Sequence, residues 1–144
     1  MQLPLTGGCI CGAIRYEIAQ PPVDVYACHC TDCQRITSSA FSIGVVVSDD
    51  GFRLSGKQGR SVPGGVTQAG RTKSRWVCPD CGTWLFGNPR PGTHLRGMIR
   101  VVRGGTLDDT SWLKPTSHYW TRNKQAWITL PDDCTIFDTQ PNRE

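Results

Sequence analysis

Hydrophobic residues recur with a period of two through much of this chain. In AIRYEI (13–18), Ile14, Tyr16 and Ile18 fall on one side and Arg15 and Glu17 on the other, the alternation of a half-buried strand. FSIGVVV (41–47) places Phe41, Ile43, Val45 and Val47 on one face. VDVYA (23–27), FRL (52–54), WLF (84–86), MIRVV (98–102) and AWITL (126–130) are further strand candidates, set apart by glycine and proline turns. The best helix start is Thr31, whose hydroxyl can cap a short turn with Gln34 completing a capping box. A helix from there ends near Ser38 or Ser39. The pattern predicts one mainly β domain over residues 1–144 with short helical turns and a fraying tail at TQPNRE.

Composition adds bounds. A chain of 144 residues, 38% hydrophobic, can bury a core without staples. No stretch reaches the apolar length of a membrane span, and MQLPLTGGC has neither a basic start nor an apolar run. The expectation is a cytoplasmic protein. Eight cysteines in that setting point to metal rather than to disulfides. The formal charge of +4 counts every thiol as neutral. Seven thiolates on two zinc ions would bring it close to zero, so the basicity gives little support to a nucleic-acid partner.

The cysteines sort by spacing. CPDCGT (78–83) resembles a zinc knuckle: the glycine after Cys81 allows a tight turn whose amides support the sulfurs. A knuckle supplies two ligands and needs another pair. GGCICGA (7–13) offers Cys9 and Cys11 among flanking glycines. In a flat strand their Cα atoms would lie roughly 6.6 Å apart, whereas two sulfurs on one tetrahedral zinc lie about 3.8 Å apart. The chain must bend there, and the glycines permit it. Cys9, Cys11, Cys78 and Cys81 would close a four-sulfur structural site.

CHCTDC (28–33) remains, with Cys134. Cys28, Cys30 and Cys33 give zinc three ligands and leave a fourth place open, as catalytic zinc requires. Three thiolates and Zn²⁺ sum to a negative centre, a poor maker of hydroxide but a suitable seat for a soft incoming thiol. Two alternatives stand beside this: Cys134 closing a second structural site, and a metal-free redox pair at Cys30 and Cys33. His29, between two cysteines, is expected to point away or to orient a neighbour.

In this order the motifs resemble the glutathione-dependent formaldehyde-activating enzyme family, which also includes centromere protein V. The matching stretches are GGCICGAIRYE (7–17), CHCTDCQRITSSAF (28–41), SRWVCPDCGTWLF (74–86), GTLDD (105–109), and the tail from Pro115 and His118 to Trp127. The resemblance implies a β-rich, tent-like fold shared with methionine sulfoxide reductase B. It also implies two zinc ions, one structural on Cys9, Cys11, Cys78 and Cys81 and one catalytic on Cys28, Cys30 and Cys33. The implied activity is a carbon–sulfur lyase reaction on the adduct of glutathione and formaldehyde. Three positions depart from the family pattern: Ser38 stands for a glycine, Val77 for a phenylalanine, and Cys134 for an apolar tail residue, which makes Cys134 read as a small buried hydrophobe.

A glutathione substrate needs cations for its carboxylates. RTKSR (71–75), if extended, puts Arg71, Lys73 and Arg75 on one side, and Arg35 is a second candidate. His118, Tyr119 and Trp120 are expected in the core or as a pocket wall. Asp32 reads as a helix-start carboxylate. The rival function is a non-catalytic zinc module for protein or nucleic acid, motivated by Arg96, Arg100, Arg103 and the RTKSR stripe. Oligomeric state has no signal in the sequence.

Overall fold

The computed structural model describes residues 1–68, 70–92 and 97–141. Arg96 and the last three residues lie outside them. The strands in chain order are β1 (Leu5–Gly8), β2 (Ile14–Ile18), β3 (Asp24–Cys28), β4 (Ser42–Ser48), β5 (Phe52–Gly56) and β6 (Arg60–Val66). They continue with β7 (Thr72–Val77), β8 (Trp84–Gly87), β9 (Arg90–Pro91), β10 (Met98–Arg103), β11 (Ser117–Tyr119) and β12 (Thr135–Phe137). Among the described residues one α-helix, α1 (Thr31–Thr37), follows β3, and single 3₁₀ turns occupy Gly104–Thr106 and Thr121–Asn123.

Two sheets result. β2 pairs antiparallel with β1 and β5 in a three-stranded sheet. Tyr16 lies against Gly7 so closely that a Cβ there would sit 2.2 Å from the phenol oxygen, so the glycine is required by packing. The larger sheet runs β12-β11-β3-β4-β10-β8-β7-β6, with β9 added on β10. Its β11 lies parallel to both β3 and β12, while β3, β4 and β10 are antiparallel neighbours.

The period-two pattern explains the layers. Ile14, Tyr16 and Ile18 turn inward from β2 and meet Val45, Val47, Phe86 and Val102 of the larger sheet, with Phe52 from β5. Each such fully buried side chain contributes about 1.5–3 kcal/mol relative to exposure. The opposite face of the larger sheet carries Tyr26, Val46, Ile99 and Val101. Alternation along β3 thus puts Tyr26 and Cys28 away from the main core and Val25 into it. That outer face holds the thiol triad.

Two expectations are corrected. AWITL forms no strand: Ile128 N–H closes a turn onto Gln125 O, and Trp127 stays exposed with its indole N–H donating to Gln125 Oε1 at 2.7 Å. Among the described residues no neighbouring strand offers it a ladder, so local turn bonding wins. The helix cap is Cys30 rather than Thr31. Its Sγ accepts from Cys33 N–H at 3.3 Å, and Gln34 donates to the carbonyls of His29 and Asn123 instead of completing a capping box.

Candidate metal centres and the cavity beside one of them

The β1–β2 connection bends as its glycines allow. Gly12 takes φ +75° and its N–H bonds to Cys9 O at 2.9 Å. The β7–β8 connection repeats the device, with Gly82 at φ +72° and its N–H on Cys78 O, also at 2.9 Å. The two turns meet. Sγ of Cys11 lies 3.5 Å from that of Cys9 and 3.7 Å from that of Cys78, and all four sulfurs, Cys81 included, lie within 4.8 Å of one another. The closest separations approach the roughly 3.8 Å edge of a tetrahedral thiolate site. Ile14 N–H donates to Cys9 Sγ at 3.2 Å, and Thr83 Oγ1 stands 3.1 Å from Cys81 Sγ. The Thr83 hydroxyl and backbone pull the Cys81 thiol down to about 6. This donor set fits a metal ion and joins the small sheet to the large one.

The second group is smaller. Cys28 ends β3, Cys30 caps α1, and Cys33 lies in its first turn. All three are buried, with sulfurs within 4.8 Å of one another. Contact with Cys28 and then Cys30 holds the Cys33 thiol down to about 2, while Cys28 is pushed up by bonds to Cys30 and Cys33 and by burial. Three thiols packed this closely cannot all ionise without a cation among them. The group therefore fits a metal with three ligands. Cys134 does not join it: half-buried, it bonds Pro131 O at 3.0 Å, which also corrects the expectation of a buried hydrophobe.

Around the triad the tail segment forms a wall. Trp120 packs on the three cysteines and holds φ 59°, a left-handed conformation uncommon for a bulky residue. His29 turns away from the thiols. Its backbone N–H donates to Tyr119 O at 2.9 Å, and its ring Nε2 lies 3.0 Å from His118 Nδ1 in a buried pair. Burial first, then the neighbouring His118, holds His29 down to about 4. Tyr119 donates to Asp24 Oδ2 at 2.9 Å and stacks on Tyr26.

Cys28 and Cys33 face a cavity of about 290 Å³. Tyr26, Tyr119, Trp84 and Val101 supply its apolar walls, and Arg71, Lys73, Arg90 and Arg103 line it too. None of the described lining residues is acidic. Arg71 and Lys73 thus line the cavity that the triad faces, while two other sequence candidates do not. Arg35 is exposed on the last turn of α1, and Arg75 lies outside the lining, 6.0 Å from the Trp84 ring centroid. Arg90 and Arg103 were not selected for this role from the sequence, although Arg103 follows Val101 at strand spacing. The basic stripe that suggested nucleic acid is dispersed. Arg100 is mostly buried, bonded to Asp49 and held between Phe52 and Phe86, Arg103 faces the cavity, and Arg96 lies outside the described residues.

Comparison with known proteins agrees with the cysteine pattern. The model of a family described as glutathione-dependent formaldehyde-activating enzyme matches residues 4–123. A Penicillium rubens protein provisionally named a glutathione-dependent formaldehyde-activating enzyme is 28% identical over 121 residues, covering 78% of this chain and 61% of its own. A Sordaria macrospora protein with the same provisional name is 26% identical over 102 residues, covering 67% and 42%. The chain spans less than two thirds of the length of these relatives. Among solved structures, a Rhodobacter sphaeroides protein aligns with TM-score 0.52 and 20% identity over 72% of this chain and 87% of its own, a likeness of fold. No helix among the described residues is long and apolar enough to cross a membrane.

Proposed function

The chain belongs to the glutathione-dependent formaldehyde-activating enzyme family, and on that premise we propose that it is a zinc-dependent carbon–sulfur lyase. Its substrate in this reading is the adduct of a small aldehyde with glutathione or a similar thiol. The observation that carries the reading is the placement of Cys28 and Cys33 in the wall of a cationic cavity, which the four-sulfur group does not touch.

Zinc on Cys28, Cys30 and Cys33 would supply a soft, net negative centre with one position left for a thiolate. The chain's own residues supply the rest. Lys73 places positive charge near Cys33, and with Arg71, Arg90 and Arg103 it favours an anionic substrate. Tyr26 and Tyr119, stacked at 4.6 Å with Tyr119 bonded to Asp24, exclude water from one wall. In the cleaving direction the adduct's C–S electron pair returns to sulfur while its hydroxyl loses a proton and becomes the aldehyde carbonyl. The reverse addition forms the C–S bond and protonates the carbonyl oxygen. No carboxylate or imidazole is among the described lining residues, so that proton passes to solvent or to a hydroxyl.

The second ion, on Cys9, Cys11, Cys78 and Cys81, has a structural role in this reading. Residues 1–144 act as one zinc-binding domain, in the cytoplasm, on a small-molecule thiol. The test is turnover of the glutathione–formaldehyde adduct by wild type and by Cys28→Ser. The variant should lose at least a hundredfold in rate, and an unchanged rate would end the proposal.

A further inference from the structure

The cavity's cations are not equivalent. Arg103 ends β10, and the strand period places it with Val101 on the cavity side. Its guanidinium carbon stands 4.2 Å from the Trp84 ring centroid. Trp84 is itself fixed, its indole N–H donating to Phe86 O at 3.0 Å. Among the described residues Arg103 has no carboxylate partner, and its Nε is buried without a hydrogen bond. Arg15, Arg100 and Arg122, by contrast, each hold an aspartate.

A half-buried guanidinium whose Nε is shut off from water and left without an acceptor is unfavourable, and stacking on an indole offsets only part of that. Such a group is prepared for a carboxylate: its planar fork is held by the indole, and an arriving anion can satisfy the donor that water does not reach. Arg75 has the same orphaned Nε but does not reach the cavity. Arg71, Lys73 and Arg90 raise the local positive potential that draws an anion in.

We infer that this cavity selects thiols that bear a carboxylate, and that Arg103, seated on Trp84, is the residue that reads it. The inference rests on reading Cys28, Cys30 and Cys33 as the thiol site. It predicts that the substrate class is defined by charge as well as by sulfur. Neutral thiols of similar size enter poorly. Acidic thiols other than glutathione should also be accepted where a carboxylate reaches Arg103.

The experiment uses zinc-loaded protein and S-methylglutathione, which keeps the carboxylates and has no free thiol. Its binding is compared with that of its diethyl ester by calorimetry, for wild type, Arg103→Gln and Arg103→Lys. Loss of one charge-assisted contact predicts about ten- to a hundredfold weaker binding of the acid to Arg103→Gln. The ester should bind wild type about that weakly, and Arg103→Gln should distinguish acid from ester far less than wild type does, by the residual pull of Arg71, Lys73 and Arg90 alone. Arg103→Lys, which keeps the charge and loses the fork, should fall between. Equal binding of acid and ester by wild type, or undiminished binding of the acid by Arg103→Gln and Arg103→Lys, overturns the inference. Because the probe cannot donate a thiolate, this outcome is separable from the lyase reading. An Arg103-dependent acid site in a wild-type protein that does not turn over the glutathione–formaldehyde adduct would refute the lyase reading alone.

Discussion

The backbone N–H of Gln68 donates to the Asp32 carboxylate at 2.6 Å, tying the connection between β6 and β7 to the first turn of the helix that carries Cys33. Thr31 and Asn123 add side-chain bonds to Gln68. The hairpin held this way is the one that delivers Arg71 and Lys73 to the cavity. Asp32 therefore does more than favour a helix start.

Asp32→Ala should loosen that hairpin without disturbing either cysteine group. An exposed charge-assisted bond contributes about 1 kcal/mol, so KM for a thiol substrate should rise roughly three- to tenfold with kcat little changed. Amide exchange at Gln68 should quicken in the same variant. Unchanged KM and unchanged exchange would show that the tether has no part in shaping the cavity.

Ser38 occupies the left-handed position at the end of α1, with φ 52°. Glycine is the common residue at such helix ends, and the backbone gives the reason: a side chain is strained in that conformation. Ser38→Gly should stabilise the protein by about 0.5–1 kcal/mol, the relief of strain exceeding the added chain entropy. Denaturant unfolding measures it, and a destabilised variant would contradict the assignment of that cap.

His118→Phe removes the partner of His29 Nε2 inside an enclosed pair. Leaving a buried imidazole nitrogen unpaired costs about 1–3 kcal/mol. Stability should drop by that amount while metal content stays the same. A drop in metal content together with stability would mean that the pair positions the triad.

Cys134→Ser should change neither metal content nor activity, because Cys134 bonds Pro131 O away from the triad and serine can keep that bond. Loss of one ion on this substitution would restore Cys134 as a fourth ligand.

The strand pattern was legible wherever one face is buried. Ile14, Tyr16 and Ile18 alternate with polar residues, and their burial follows that alternation. The grouping of Cys9 and Cys11 with Cys78 and Cys81 was legible because two glycine-bent turns each offer a close pair of sulfurs. AWITL misled because apolar content does not reveal whether a partner strand is available. The Cys30 cap was missed because a sulfur acceptor lies outside the usual set of capping side chains. Arg103 was hidden among other arginines. The role proposed for it depends on Trp84, which is adjacent only once β10 and β8 have paired.

Zinc stoichiometry, measured with the folded state on wild type, Cys28→Ser and Cys78→Ser, tests the two-centre account most directly. Wild type should hold two ions per chain, and Cys28→Ser should hold one with its far-UV spectrum and cooperative unfolding retained. Cys78→Ser should lose the ion that joins the two sheets and with it several kcal/mol of stability, on the order seen when structural zinc is removed. Loss of both ions or unfolding in Cys28→Ser, or two ions retained there, would contradict one structural and one open centre.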